Sequence, residues 1–146
     1  EVGRVGDIIL IDDFAHHPTA VAQTLAGLAR AHPHRRLLAV FEPASATNAR
    51  ALFEDRYVDA FAPATAIVVA KVPRPERARS DEPFSPARLV DRLAATGKTA
   101  RYIPDTEAIA DHLANAARPG DLIAFLSNGG FGGLQRKLLA RLENAT

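Results

Sequence analysis

Short unbroken aliphatic runs recur along this chain, and between them apolar residues fall three or four apart. Ile8-Ile9-Leu10-Ile11, Leu37 to Phe41, Ala66 to Ala70 and Leu122 to Leu126 are of strand length, with no polar interruption, as strands buried on both faces of a sheet require. The intervening stretches read as helices. Pro18 suits a first helical turn, and Val21, Leu25 and Leu28 follow at helical spacing until His32-Pro33 ends the pattern. A second helical stretch lies around Asn48 to Phe61. A third follows Ser85-Pro86, carries Leu89, Val90 and Leu93 inward, and stops at Gly97, where a left-handed cap belongs. Asp105 caps a fourth bearing Ile109 and Leu113, and Leu134, Leu138 and Leu142 mark a fifth. Ala100 to Ile103 adds a short strand, Pro119-Gly120 a turn, and the glycines at 3 and 6 suggest a small hairpin feeding the first long strand. Pro73 to Pro83, rich in proline and charge, reads as a loop.

Strands alternating with helices imply right-handed crossovers, hence an α/β fold: a three-layer α/β/α, Rossmann-like domain with a mostly parallel sheet of five or six strands. Residues 1–146 make one domain by length. The chain opens with glutamate and contains no methionine, so the expectation is a piece of a longer protein. A net charge of +1 suggests neither disorder nor a nucleic-acid-coating surface. The apolar runs fall far short of the roughly 20 residues that cross a bilayer, and the absence of cysteine fits a reducing compartment. The expectation is a cytoplasmic protein without nucleic-acid or membrane partners.

Chemistry concentrates in three loops that a parallel sheet places at one edge. Asp12-Asp13-Phe14-Ala15-His16-His17-Pro18-Thr19 follows the first long strand and combines acids, imidazoles and a helix start, a setting suited to a phosphate, a carboxylate or a metal between them. The same acids also suit plain capping of backbone amides. Glu42 to Asn48 follows the second long strand, with Glu42 placed to orient a neighbour or to reach water. Ser127-Asn128-Gly129-Gly130-Phe131-Gly132-Gly133 follows the last, where glycines allow a ligand close to the backbone or merely permit close packing. It is not a dinucleotide fingerprint, and no Gly-x-x-x-x-Gly-Lys-Ser/Thr loop occurs in the chain. Lys71, Arg74 and Arg77 could hold a carboxylate or simply be solvated.

Ile11 to Thr19, Ala39 to Pro43, Arg74-Pro75-Glu76 and Ser127 to Gly133 together resemble the C-terminal domain of the Mur ligases, ATP-dependent enzymes that form amide bonds in peptidoglycan precursors. The Asp-Asp-aromatic-small-His-His-Pro-Thr stretch is similar in two branches, including the one that adds L-alanine to UDP-N-acetylmuramate, and so marks the superfamily more than the substrate. The Ser-Asn-Gly-Gly-Phe-Gly-Gly stretch is similar to the branch that attaches recycled L-alanyl-γ-D-glutamyl-meso-diaminopimelate to the same nucleotide sugar. The resemblance implies an acyl-phosphate intermediate, with ATP and magnesium held mainly by a central domain outside this chain. It implies N-terminal and central domains as partners, and UDP-N-acetylmuramate and the tripeptide as substrates. By the same resemblance Asp13 and His16 take catalytic places near the nucleotide or acyl phosphate, with Asp12, Phe14 and His17 on the ATP side. Ser45, Thr47, Asn48, Arg74, Ser127, Asn128, Gly129 and Gly130 fall to the peptide, and no metal ligand to this domain. Alone, the domain is expected to be inactive.

One stretch departs from the pattern: the peptide-adding branch usually reads Phe-Glu-Pro-Arg-Ser-Asn-Thr, and Ala44 and Ala46 stand here in place of the arginine and asparagine. An L-alanine ligase is the nearest alternative. From another class, a metal-dependent phosphoesterase would use Asp12, Asp13, His16 and His17 as ligands. A phosphorelay receiver would need an aspartate after the third long strand, where Lys71 stands.

Overall fold

In the computed structural model, which describes residues 2–43, 54–75 and 83–146, six strands form one sheet. The elements in chain order are β1 (Gly3–Val5), β2 (Ile8–Asp13), α1 (Pro18–Ala31), β3 (Arg36–Phe41), α2 (Glu54–Ala60), β4 (Ala66–Val69), α3 (Pro86–Ala95), β5 (Thr99–Tyr102), α4 (Thr106–Ala116), β6 (Asp121–Leu126) and α5 (Leu134–Ala145). The spatial order is β1-β2-β6-β3-β4-β5, antiparallel only at the β1–β2 hairpin. Sequence periodicity predicts these elements to within a residue or two. The N-terminal part of the stretch read as helix from Asn48 lies outside the described residues.

Direction of travel decides which face each helix covers. β2, β3, β4 and β5 succeed one another in one direction across the sheet, so right-handed crossovers lay α1, α2 and α3 on one face. The return from β5 to β6 runs the other way, and α4, followed by α5, covers the opposite face. The strands feed both layers by alternation. Leu122, Ala124 and Leu126 of β6 enter the α1–α3 core, while Ile123 and Phe125 enter the α4–α5 core. Ser85 Oγ accepts from Arg88 N (3.2 Å) and Asp105 Oδ2 from Ala108 N (3.0 Å), so α3 and α4 start where those residues predict.

Two buried acids escape a reading in which charges lie outside. Asp121, 2% exposed, receives Arg36 Nε at 2.8 Å and Nη2 at 2.6 Å, plus the Arg118 amide at 2.8 Å. Glu54, also 2% exposed, accepts from Arg88 Nη2 (2.8 Å) and the Ser85 amide (3.0 Å), tying α2 to the start of α3. Each partner is needed because a buried carboxylate without donors is far costlier than an exposed one. Asp121→Ala is therefore expected to destabilise the chain by about 2 kcal/mol. That is less than a fully buried pair would lose, because Arg36 is 28% exposed and can turn to water. Urea unfolding of wild type and variant measures it.

Candidate active-site edge

β6 lies between β2 and β3, and the chain leaves these neighbours toward opposite faces: β2 leads to α1, β6 to α5. Such a divergence opens a crevice at the carboxyl ends of the strands, the usual place for a ligand in an open parallel sheet. The acid-imidazole elbow and the glycine turn leave the neighbouring ends of β2 and β6, where the topology calls for such a crevice. Backbone bonds join them, because Ser127 N donates to Asp13 O (3.2 Å) and Glu42 N donates to Leu126 O (2.9 Å).

The two adjacent acids part company through the strand pleat. Asp12 turns to the α5 face, where the buried Gln135 donates Nε2 to its Oδ1 at 3.0 Å. Asp13 turns to the α1 face, where Oδ1 accepts from Ala15 N at 2.8 Å and from Thr24 Oγ1 at 3.4 Å. The first of these closes a tight turn that sets the course of the elbow. Tyr57, buried from α2, donates its hydroxyl to the His16 carbonyl, and burial pushes its phenol well above the ordinary tyrosine range, so the donor proton stays. His16 Nδ1 lies 2.9 Å from the Phe14 carbonyl, which can only accept, so Nδ1 carries a proton. Phe14 is 75% exposed at the tip, whereas Ala15 and Pro18 are buried beneath it. An aromatic ring on so firmly held a turn is available to a partner surface.

On the other side Ser127 is 1% exposed and Asn128, Gly129 and Gly130 are exposed. The Ser127 hydroxyl donates to Glu42 Oε1 at 2.6 Å and accepts from Gly129 N at 3.1 Å. Burial raises the Glu42 carboxyl above its ordinary range, and the Ser127 bond partly opposes the shift. The left-handed conformation in this turn falls at Phe131 (φ +51°), Gly132 (+58°) and Gly133 (+71°), and not at Gly129 or Gly130. Phe131 is 1% exposed, its ring edge-on to Phe125 at 6.5 Å, and it anchors the turn in the core.

Arg74 is not part of this crevice. With Lys71 and Tyr102 it lines a cavity of about 610 Å³ beyond the ends of β4 and β5, walled by Pro73, Pro75, Pro83 and Phe84. No carboxylate lines it among the described residues, and neither Lys71 nor Arg74 has an ion-pair partner among them. Sequence alone does not disclose the cavity as a whole, because its lining comes from three separate stretches, 71–75, 83–86 and Tyr102. Ser45, Thr47, Asn48, Arg77 and the departures at Ala44 and Ala46 lie outside the described residues.

The donor set does not make a metal centre by itself. Among the described residues no three His, Cys, Asp or Glu groups come close enough to hold an ion, and the pleat holds Asp12 and Asp13 apart. That geometry disfavours a phosphoesterase built on this elbow. No helix among the described residues is long and apolar enough to cross a membrane.

The family model described as "Mur ligase, glutamate ligase domain" matches residues 1–129. The chain is 34% identical over 144 residues to the UDP-N-acetylmuramate–L-alanyl-γ-D-glutamyl-meso-2,6-diaminoheptandioate ligase of Escherichia coli, covering 94% of this chain and 28% of that protein. It is 33% identical over 128 residues to a UDP-N-acetylmuramate–L-alanine ligase of Desulfitobacterium hafniense, covering 88% and 28%. A murein peptide ligase structure from Psychrobacter arcticus superposes with a TM-score of 0.80 at 28% identity, over 97% of this chain and 29% of that one. The chain thus spans less than a third of the length of these full-length relatives.

Proposed function

Because the chain belongs to the Mur ligase family, we propose that it is the C-terminal, substrate-binding domain of an ATP-dependent ligase that joins L-alanyl-γ-D-glutamyl-meso-diaminopimelate to UDP-N-acetylmuramate in peptidoglycan recycling. In this reading the full-length enzyme uses ATP and magnesium, as membership of the Mur ligases implies. Among the described residues no group of acids and imidazoles could hold a magnesium ion, and the sequence has no Gly-x-x-x-x-Gly-Lys-Ser/Thr loop, so on the same reading a central domain supplies the nucleotide site and the isolated domain is inactive. When bound there, the nucleotide supplies the phosphate that activates the muramoyl carboxylate. This chain binds and orients the incoming amine. Asp13 holds the elbow in shape, Phe14 and the imidazoles of His16 and His17 face the nucleotide side with Asp12 behind them, and Ser127 to Gly130 receive the peptide. Ser45, Thr47 and Asn48 complete the peptide side.

The curated relatives include both L-alanine and tripeptide ligases, and the cavity beyond β4 favours the tripeptide. A void of about 150 Å³ is enough for one benzene molecule, so 610 Å³ is far more than alanine can use. From β6 to β4 is two strand spacings, roughly 10 Å. A three-residue peptide reaches about that far when extended. A peptide whose amine lies at the Ser127 turn therefore brings its distal carboxylates to Lys71 and Arg74, a cationic pair without acid neighbours among the described lining residues.

The test is ligation by the complete enzyme of UDP-N-acetylmuramate with either tripeptide or L-alanine in the presence of ATP. Tripeptide is expected to be the preferred substrate. Arg74→Ala should raise the tripeptide KM roughly tenfold, as loss of one charged hydrogen bond does, and leave the ATP KM unchanged. Preference for L-alanine, or an Arg74→Ala enzyme with normal tripeptide KM, would overturn the assignment.

A further inference from the structure

We infer that Glu42 is a positioning residue of this edge, fixing through Ser127 the glycine turn on which the peptide rests; the inference builds on the ligase reading above. Glu42 follows the last residue of β3, and its amide continues the parallel ladder to Leu126 O at 2.9 Å. Its side chain turns back over the end of β6 to take the Ser127 hydroxyl at 2.6 Å.

A serine hydroxyl has one proton and two lone pairs. An ionised carboxylate can only accept, so the proton goes to Glu42 and a lone pair is left to face the Gly129 amide, 3.1 Å away. The Ser127 amide is itself held by Asp13 O at 3.2 Å. One serine thus joins the ends of β2, β3 and β6, and the carboxylate decides which way its hydroxyl points. Little else steadies the first half of the turn. A Cβ built on Gly129 or Gly130 would meet nothing within 4 Å, whereas the second half is anchored by buried Phe131 and by the bond from Gly133 N to Gly130 O at 3.0 Å. Removing the Glu42 acceptor frees the hydroxyl to rotate, and the Gly129 amide loses its fixed direction. Because the role needs an acceptor oxygen rather than a charge, glutamine can fill it, and the neutral amide suits a half-buried position.

Two readouts on the full-length enzyme test this. In steady-state ligation, Glu42→Ala and Ser127→Ala should each raise the tripeptide KM about tenfold, with a smaller change in kcat and none in the ATP KM. The double variant should be no worse than either single one, since both remove one relay. Glu42→Gln should recover most of the lost affinity. Hydrogen-deuterium exchange across 127–130 should speed up in both alanine variants and stay near wild type in Glu42→Gln. Unchanged exchange in Glu42→Ala, additive effects in the double variant, or a Glu42→Gln enzyme as impaired as Glu42→Ala would overturn the inference. A wild-type enzyme that ligates no tripeptide overturns the ligase reading instead, and the exchange data still judge the relay.

Discussion

Asp13→Ala is expected to lower the turnover of the complete ligase about a hundredfold, the order of loss that follows when a reacting group is displaced by about 1 Å. The Asp13 carboxylate accepts from Ala15 N and Thr24 Oγ1, so it sets the direction in which the chain leaves β2. Tyr57 grips the same elbow from below at the His16 carbonyl, and buried Ala15 and Pro18 seat it. Losing the Asp13 contacts therefore redirects Phe14 and His16 without unfolding the domain. Stability should fall by about 2 kcal/mol, the order of loss when hydrogen bonds to a charged group are removed. Asn retains an Oδ1 acceptor, and Asp13→Asn should recover most of the turnover if geometry is what matters. Stopped-flow or coupled phosphate-release assays decide. Equal loss in the asparagine and alanine variants would assign the effect to negative charge, and normal turnover in Asp13→Ala would remove the elbow from the site.

The positions where sequence alone suffices share a physical character. Ile8 to Ile11 and Leu122 to Leu126 are legible as strands because burial on both faces leaves no polar position, and Ser85 and Asp105 are legible as caps because the bond closes three residues away. What sequence does not disclose is held by distant pairs. Ser127 and Glu42 stand 85 positions apart, as do Arg36 and Asp121, and only the insertion of β6 between β2 and β3 brings either pair together. The acid pair itself was legible as chemistry but not as geometry. Adjacent residues in a strand face opposite ways, so Asp12 serves α5 and Asp13 serves α1. Tyr57 as the prop of the His16 carbonyl had no signal at all, since a tyrosine on an apolar helix face reads as core.

Phe131 carries the clearest conflict between local preference and packing. Four glycines surround it in the turn, yet it adopts φ +51°, a left-handed conformation that costs a residue with a Cβ about 1 to 2 kcal/mol. Its ring, 1% exposed and edge-on to Phe125, outweighs that cost, because truncating a buried phenylalanine to alanine typically loses about 3 to 5 kcal/mol. Phe131→Ala should accordingly destabilise the chain by about 4 kcal/mol, since alanine keeps the backbone strain and gives up the ring. Glycine would give up the ring and relieve the strain. Phe131→Gly is thus expected to be more stable than Phe131→Ala by about 1 kcal/mol, the reverse of the usual ranking of these residues. Denaturant midpoints of the two variants check the order. If alanine proved the more stable, the left-handed backbone at 131 would be a minor term and the turn would owe its shape to Gly132 and Gly133 alone.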